Sequence, residues 1–193
     1  ITDACMESTG KYWIHVYNIL EAKIHCIITH PKYVRTILGK KTDKKDAKWI
    51  ADMFKHGLVE PSFMPPKDIR ELRDLMRYRN KLVNIRTGEK NRFQNSLTVS
   101  NIQIANVLTD TFGKTAQSIL TSVLENPNIT LDDIRPLLRK NIKSTPEEIY
   151  KAIDGNFSEY QSSKMSICLS HYDAINSCID NLEQYILKLA INY

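Results

Sequence analysis

Met165, Cys168, Tyr172, Ile175, Ile179, Leu182, Ile186, Leu189 and Tyr193 follow one another at alternating spacings of three and four residues. This is the period of a heptad seam, and it commits residues 157–193 to a long helix with one apolar edge. Such an edge has to be buried. Two partners are open to it: another helix of the same chain, folded back as an antiparallel hairpin, or a second copy of the chain. The spacing does not choose between them.

The intrachain candidate is an almost uninterrupted helical stretch from Lys67 to about Leu97, within a segment taken as 61–100 and broken only by Gly88. Its apolar face takes in Ile69, Leu72, Leu75, Met76, Leu82, Val83 and Ile85, with Arg79 and Arg86 interrupting a strict seam. Lys and Arg number 27 against 22 Asp and Glu, a net charge of +5. The stretch from Leu75 to Arg92 matches that excess by itself: Arg77, Arg79, Lys81, Arg86, Lys90 and Arg92 stand against Glu89 alone. With Arg73 upstream and Tyr78 and Phe93 interleaved, the pattern suits phosphate contacts with stacking on RNA; a solvated helix surface is the competing reading. Residues 101–156 read as shorter helices, with a capping box at Thr145-Pro146-Glu147-Glu148, a weaker start at Thr130 to Asp133, and no chemical motif.

Residues 1–60 have a different character. Ile1 to Glu7 and Ile24 to Thr29 read as strands and Gly10 to Glu21 as a helix packed through Trp13, Val16, Tyr17 and Leu20, which makes a β-α-β unit with parallel strands. Pro31 opens a short helix ending before Gly39, and Thr42 or Asp43 caps a helix that runs to about His56 and stops at Gly57. Glu7 falls at the carboxyl end of its strand, where open α/β sheets place their sites. On a helix starting near Asp43, Asp43 and Asp46 lie within about 75° of the centre of the stripe Ala47, Ile50, Phe54 and Leu58, so both are expected to face inward. Inward carboxylates need hydrogen bonds or a cation, and a divalent metal shared with Glu7 is one solution. Capping of the adjacent helices by Glu7, Ser8 and Thr9, and by Asp43, is the other.

The runs Met6-Glu7-Ser8-Thr9-Gly10-Lys11-Tyr12-Trp13, His30-Pro31-Lys32, Gly39 to Ala47 and Ile50-Ala51, followed by His56-Gly57-Leu58-Val59, Ile69 to Arg73 and Arg86 to Arg92, closely resemble the DEDD-type insertion-sequence transposases, the bridge-RNA-guided recombinases. The resemblance is strong from Cys5 to about Asn95. It implies an α/β RuvC-like, RNase H-type domain fragment followed by an all-α, coiled-coil-containing region. It also implies that Glu7, Asp43 and Asp46 are the second, third and fourth acids of a Mg²⁺ (or Mn²⁺) centre that cleaves and exchanges DNA strands under the direction of a structured guide RNA. The first acid and the family's serine nucleophile have no counterpart here, and both ends of the sequence look cut, so the expectation is an inactive piece of a longer protein. Lys40, Lys41, Lys44, Lys45 and Lys48 ring the start of the acidic helix and are expected on the nucleic-acid backbone.

The rival readings are a RuvC-like junction-resolving nuclease that uses water, and a non-catalytic nucleic-acid-binding or dimerisation module. Homo-oligomers through the coiled coil are expected. No apolar run is long enough to span a bilayer. Cys5, Cys26, Cys168 and Cys178 sit in apolar patterns without C-x-x-C spacing, as expected for reduced, buried thiols in a cytoplasmic, nucleoid-associated protein.

Overall fold

The computed structural model describes residues 1–34, 42–139 and 142–191. The described residues are mostly helical, with one small two-stranded sheet among them. It divides into two compact units, Ile1–Glu71 and Leu72–Tyr193.

In the first unit β1 (Asp3–Glu7) and β2 (His25–Thr29) run parallel, in register from Asp3 opposite His25 to Glu7 opposite Thr29. The helix α1 (Tyr12–Leu20) connects them, as a parallel pair requires. On the other side of β2, Ser62 N–H donates to the Ile28 carbonyl at 2.7 Å and the fully buried Thr29 donates its hydroxyl to the Glu60 carbonyl at 3.0 Å. Burial rises along β2 toward this end: Cys26 and Ile27 are half-buried, and Ile28 and Thr29 are buried. Tyr17 is the buried residue of α1, with Trp13 edge-on to it at 6.0 Å; Val16 is exposed, contrary to the expected packing face.

After a 3₁₀ turn at Pro31–Tyr33, α2 (Asp43–Lys55) starts at Thr42, whose hydroxyl accepts from Lys45 N–H at 3.4 Å. The helix closes on Gly57 at φ +69°. Gly57 N–H donates to the Phe54 carbonyl and Leu58 N–H to Met53, both at 3.0 Å, which is a Schellman ending. Leu58 therefore lies beyond the left-handed turn, off the helical stripe, and is exposed. The packed row is Asp46, Ile50, Met53 and Phe54, not the row through Ala47 and Leu58.

The helix α3 (Lys67–Val99) begins in the first unit. There Arg70 donates to the Pro65 carbonyl at 2.8 Å, to Asn18 at 3.1 Å and to Glu21 at 2.6 Å, and its guanidinium lies 5.0 Å from the Tyr17 ring centroid. These bonds satisfy a half-buried cation and tie the start of α3 to α1. Gly88 does not break α3. Asn101, at φ +57°, ends it in a second Schellman motif in which Ile102 N–H reaches the Leu97 carbonyl at 2.9 Å.

The described elements of the second unit are all helices. Its core gathers Phe93 and Leu97 of α3, Ile119, Leu120 and Val123 of α4 (Lys114–Glu125), Ile134 of α5 (Leu131–Ile134), Ile149 of α6 (Pro146–Ala152), and Met165 and Cys168 of α7 (Glu159–Ala190). The capping box at Thr145 and Glu148 forms as expected, and Thr130 with Asp133 forms a second.

Each described residue of the α7 seam, from Met165 to Leu189, is buried or half-buried, while Tyr193 lies outside the described residues. Arg79 meets Glu183, Arg86 meets Asn176 at 2.9 Å, and Glu89 meets His171 at 3.6 Å. Partners descend along α7 as they ascend along α3, so the two helices run antiparallel. The partner of the seam is the chain's own long helix.

The α3 side of this pairing corrects the sequence reading. Leu72, Leu75, Arg79, Leu82, Arg86, Glu89, Phe93, Ser96 and Ser100 continue the three-four alternation, and all are buried or half-buried. Arg79 and Arg86 do not interrupt the seam. They belong to it, and polar groups on α7 satisfy them. All four cysteines are free, but Cys178 is exposed and Cys5 and Cys26 are only half-buried, so the expectation of uniformly buried thiols fails for these three.

Candidate metal centre and nucleic-acid interface

Glu7 closes β1 and is half-buried. Its carboxylate accepts a hydrogen bond from the Thr9 hydroxyl, a local partner that sequence reading assigned only to capping. No side chain caps α1: its N-cap position is Lys11, which makes no such bond. Thr42 takes the cap of α2, leaving Asp43 at the first helical position and Asp46 at the fourth. None of the three acids is therefore the side-chain cap of its helix. They sit near positive helix ends without closing them.

The elements that carry the acids meet, since α2 packs beside β1. Asp46 is half-buried on the packed row of α2. Asp43 differs by only about 20° in azimuth from Ile50, yet it is exposed, because it lies two turns nearer the helix start. Carboxylate oxygens are right in kind for a hard divalent ion. In number they fall short: among the described residues, no three His, Cys, Asp or Glu side chains are grouped so that they could hold one ion.

The basic residues sort into two sets. Lys44 and Lys45 are exposed on the first turn of α2, as is Lys48 on the next, whereas Lys40 and Lys41 lie outside the described residues. On α3, Arg73, Arg77 and Lys81 recur at every fourth position and are all exposed, and none makes an ion pair among the described residues. Arg77 donates its Nε–H to the Arg73 carbonyl at 3.2 Å.

Arg79, Arg86, Lys90 and Arg92 of α3 are engaged within the second unit. Arg79 is paired with Glu183 and Arg86 with Asn176. Lys90 stands 4.8 Å from the Phe112 ring centroid and 5.7 Å from that of Tyr172. Arg92 donates to Glu89 at 2.9 Å. The row along this helix without such engagements is thus Arg73, Arg77 and Lys81, with Tyr78 exposed beside it, while Arg92 stays 60% exposed despite its bond to Glu89. No described helix is long and apolar enough to cross a membrane.

Comparison with known proteins supplies the family. No curated protein and no solved structure matches this chain. The family model for the DEDD transposases of the IS110 type, described as a transposase, matches residues 2–102. That interval covers β1 to the end of α3, including both acidic motifs and the basic helix. This chain belongs to the IS110-type DEDD transposase family.

Proposed function

We propose that this chain is the RuvC-like catalytic part and helical arm of a transposase that cleaves and exchanges DNA strands, with Glu7, Asp43 and Asp46 as acids of the active centre. What carries the reading is that half-buried Glu7 ends a strand beside α2 while Lys11 and Thr42, not the acids, hold the two N-cap positions. A half-buried carboxylate at a strand end beside an acidic helix can take a divalent cation in addition to the hydrogen bond that Thr9 already gives it. Mg²⁺ or Mn²⁺ is the ion these oxygens suit, and when bound it stabilises the charge that builds on a phosphodiester under attack.

The chain's own part is to hold the substrate. Lys44 and Lys45 neutralise backbone phosphates beside the acids, and the row Arg73, Arg77 and Lys81 takes a structured guide RNA, releasing its counterions. In this reading residues 1–60 are the catalytic fragment, 61–100 the basic helix, 101–156 the helical middle and 157–193 the second strand of an antiparallel coiled coil. Copies associate through the outer faces of that hairpin, where Met76, Ile85, Tyr185 and Leu187 are exposed. A non-catalytic nucleic-acid-binding module is the second reading, and the lack of a three-acid group among the described residues favours it.

Calorimetric titration with Mn²⁺ separates the two. Glu7→Gln and Asp46→Asn are each expected to weaken binding by more than about tenfold, the lower end of the loss when even an outer partner of a metal ligand is removed. Unchanged affinity in both variants, with unchanged circular dichroism, establishes the non-catalytic reading.

A further inference from the structure

Tyr160, Lys164, Ile167 and His171 recur along α7 at spacings of four, three and four, which puts them in one row beside the seam residues Met165, Cys168 and Tyr172. With Glu89 and Arg92 of α3 they line a cleft of about 420 Å³ within the second unit. The row is not that of an ordinary solvated flank. Tyr160 is 69% exposed and Ile167 56%, so an aromatic and a branched apolar side chain stand open in a cleft that Arg92, Lys164 and His171 also line.

Glu89, also of the cleft lining, has a side chain only 12% exposed. It accepts from Arg92 Nη1 at 2.9 Å and lies 3.6 Å from His171 Nδ1, so it fixes a guanidinium and an imidazole at the rim. Arg92 and Lys164, two cations against that one carboxylate, border a cleft whose exposed lining is mostly apolar. Cys168 behind it is no nucleophile: burial, reinforced by the Glu89 charge, pushes its thiol pKa up, away from the reactive thiolate.

We propose that this cleft takes one nucleotide of a single-stranded nucleic acid, its phosphate on Arg92 and Lys164 and its base against Tyr160 and Ile167. The volume lies in the range of small-ligand pockets, about 300–1,000 Å³. The cations call for an anion, and an exposed aromatic beside them calls for a flat ring, the combination by which single strands are held. An acidic peptide would satisfy the cations and leave Tyr160 without a planar partner, and a duplex keeps its bases stacked out of reach. The inference rests on nucleic acid being the substrate of this transposase. It does not depend on Glu7, Asp43 and Asp46 or on the row Arg73, Arg77 and Lys81.

The test uses the whole chain and a fluorescein-labelled DNA single strand of about twelve nucleotides, within the site sizes of such grooves, with an RNA strand of the same sequence and a duplex as comparators. Tyr160→Ala is expected to weaken single-strand binding by about tenfold, the effect of one lost base stack, and to leave duplex binding unchanged. Lys164→Gln is expected to lower the salt dependence by about one counterion. The strand should also shift the NMR signals of Ile167 and His171, and these shifts should persist when Arg73, Arg77 and Lys81 are all changed to Gln. Unshifted Ile167 and His171 signals, or equal losses of single-strand and duplex binding in Tyr160→Ala, overturn the proposal. If instead the triple Gln variant alone abolishes binding and the cleft signals stay still, the cleft fails while the basic row stands.

Discussion

At the scale of single residues, backbone geometry decides more than side-chain chemistry. Gly155 lies where a Cβ would stand 2.4 Å from the Ser100 carbonyl oxygen and 2.8 Å from Ile102 Cγ1. This is the crossing where Asn156 N–H bonds the Ser100 carbonyl at 2.9 Å and Gln103 N–H bonds Ala152 at 2.7 Å. Gly155→Ala is therefore expected to cost about 1–3 kcal/mol through forced backbone movement, read as a lower urea midpoint. Gly57 has open space around it and only its positive φ to protect, so Gly57→Ala should cost roughly 1 kcal/mol. Thiol reactivity divides in the same local way. Exposed Cys178 should react with a thiol reagent in the native state, and buried Cys168 only as the second unit opens, which a time course with and without urea resolves.

At the scale of elements, the pairing of α3 with α7 turns on polar groups placed inside an apolar seam. Arg79 and Glu183 are each about one-third exposed, so their ion pair is screened, and a double-mutant cycle should return a coupling of no more than about 1 kcal/mol. Arg79→Leu with Glu183→Leu is expected to match or exceed the parent's stability, because two apolar side chains at seam positions replace a screened pair that contributes little. Thermal unfolding of the four members of the cycle checks both statements. What such pairs supply is register: a heptad slip along the hairpin would leave one of the two arginines opposite an apolar residue, Arg86 opposite Leu169 or Arg79 opposite Ala190.

At the scale of the whole molecule, the two units differ in composition as well as in position along the chain. Both tryptophans, Trp13 and Trp49, belong to the first unit, whereas the main buried cluster belongs to the second. Phe93 is fully buried in that cluster, and Phe93→Ala is expected to cost about 3–5 kcal/mol there. Far-ultraviolet circular dichroism, which the second unit's helices dominate, should then show an earlier transition, while tryptophan fluorescence keeps its midpoint. Coincident shifts in both signals would show that the units unfold as one cooperative block.

The features legible in the sequence were those governed by neighbours a few residues away. The seam of α7, the capping box at Thr145, the stop at Gly57, the parallel strands and the family motifs all follow from spacing, cap chemistry and local resemblance. Arg79 and Arg86 looked like part of a nucleic-acid footprint because their partners, Glu183 and Asn176, lie 104 and 90 residues further along the chain. Helical azimuth alone could not separate Asp46 from Asp43 either, since burial depends on how far a neighbouring element extends along the axis. Sequence by itself determined which helices and strands form and to which family they belong. Only the tertiary structure decided which charges those elements spend on one another and which remain for a ligand, because desolvation and pairing are set by groups brought together across the fold.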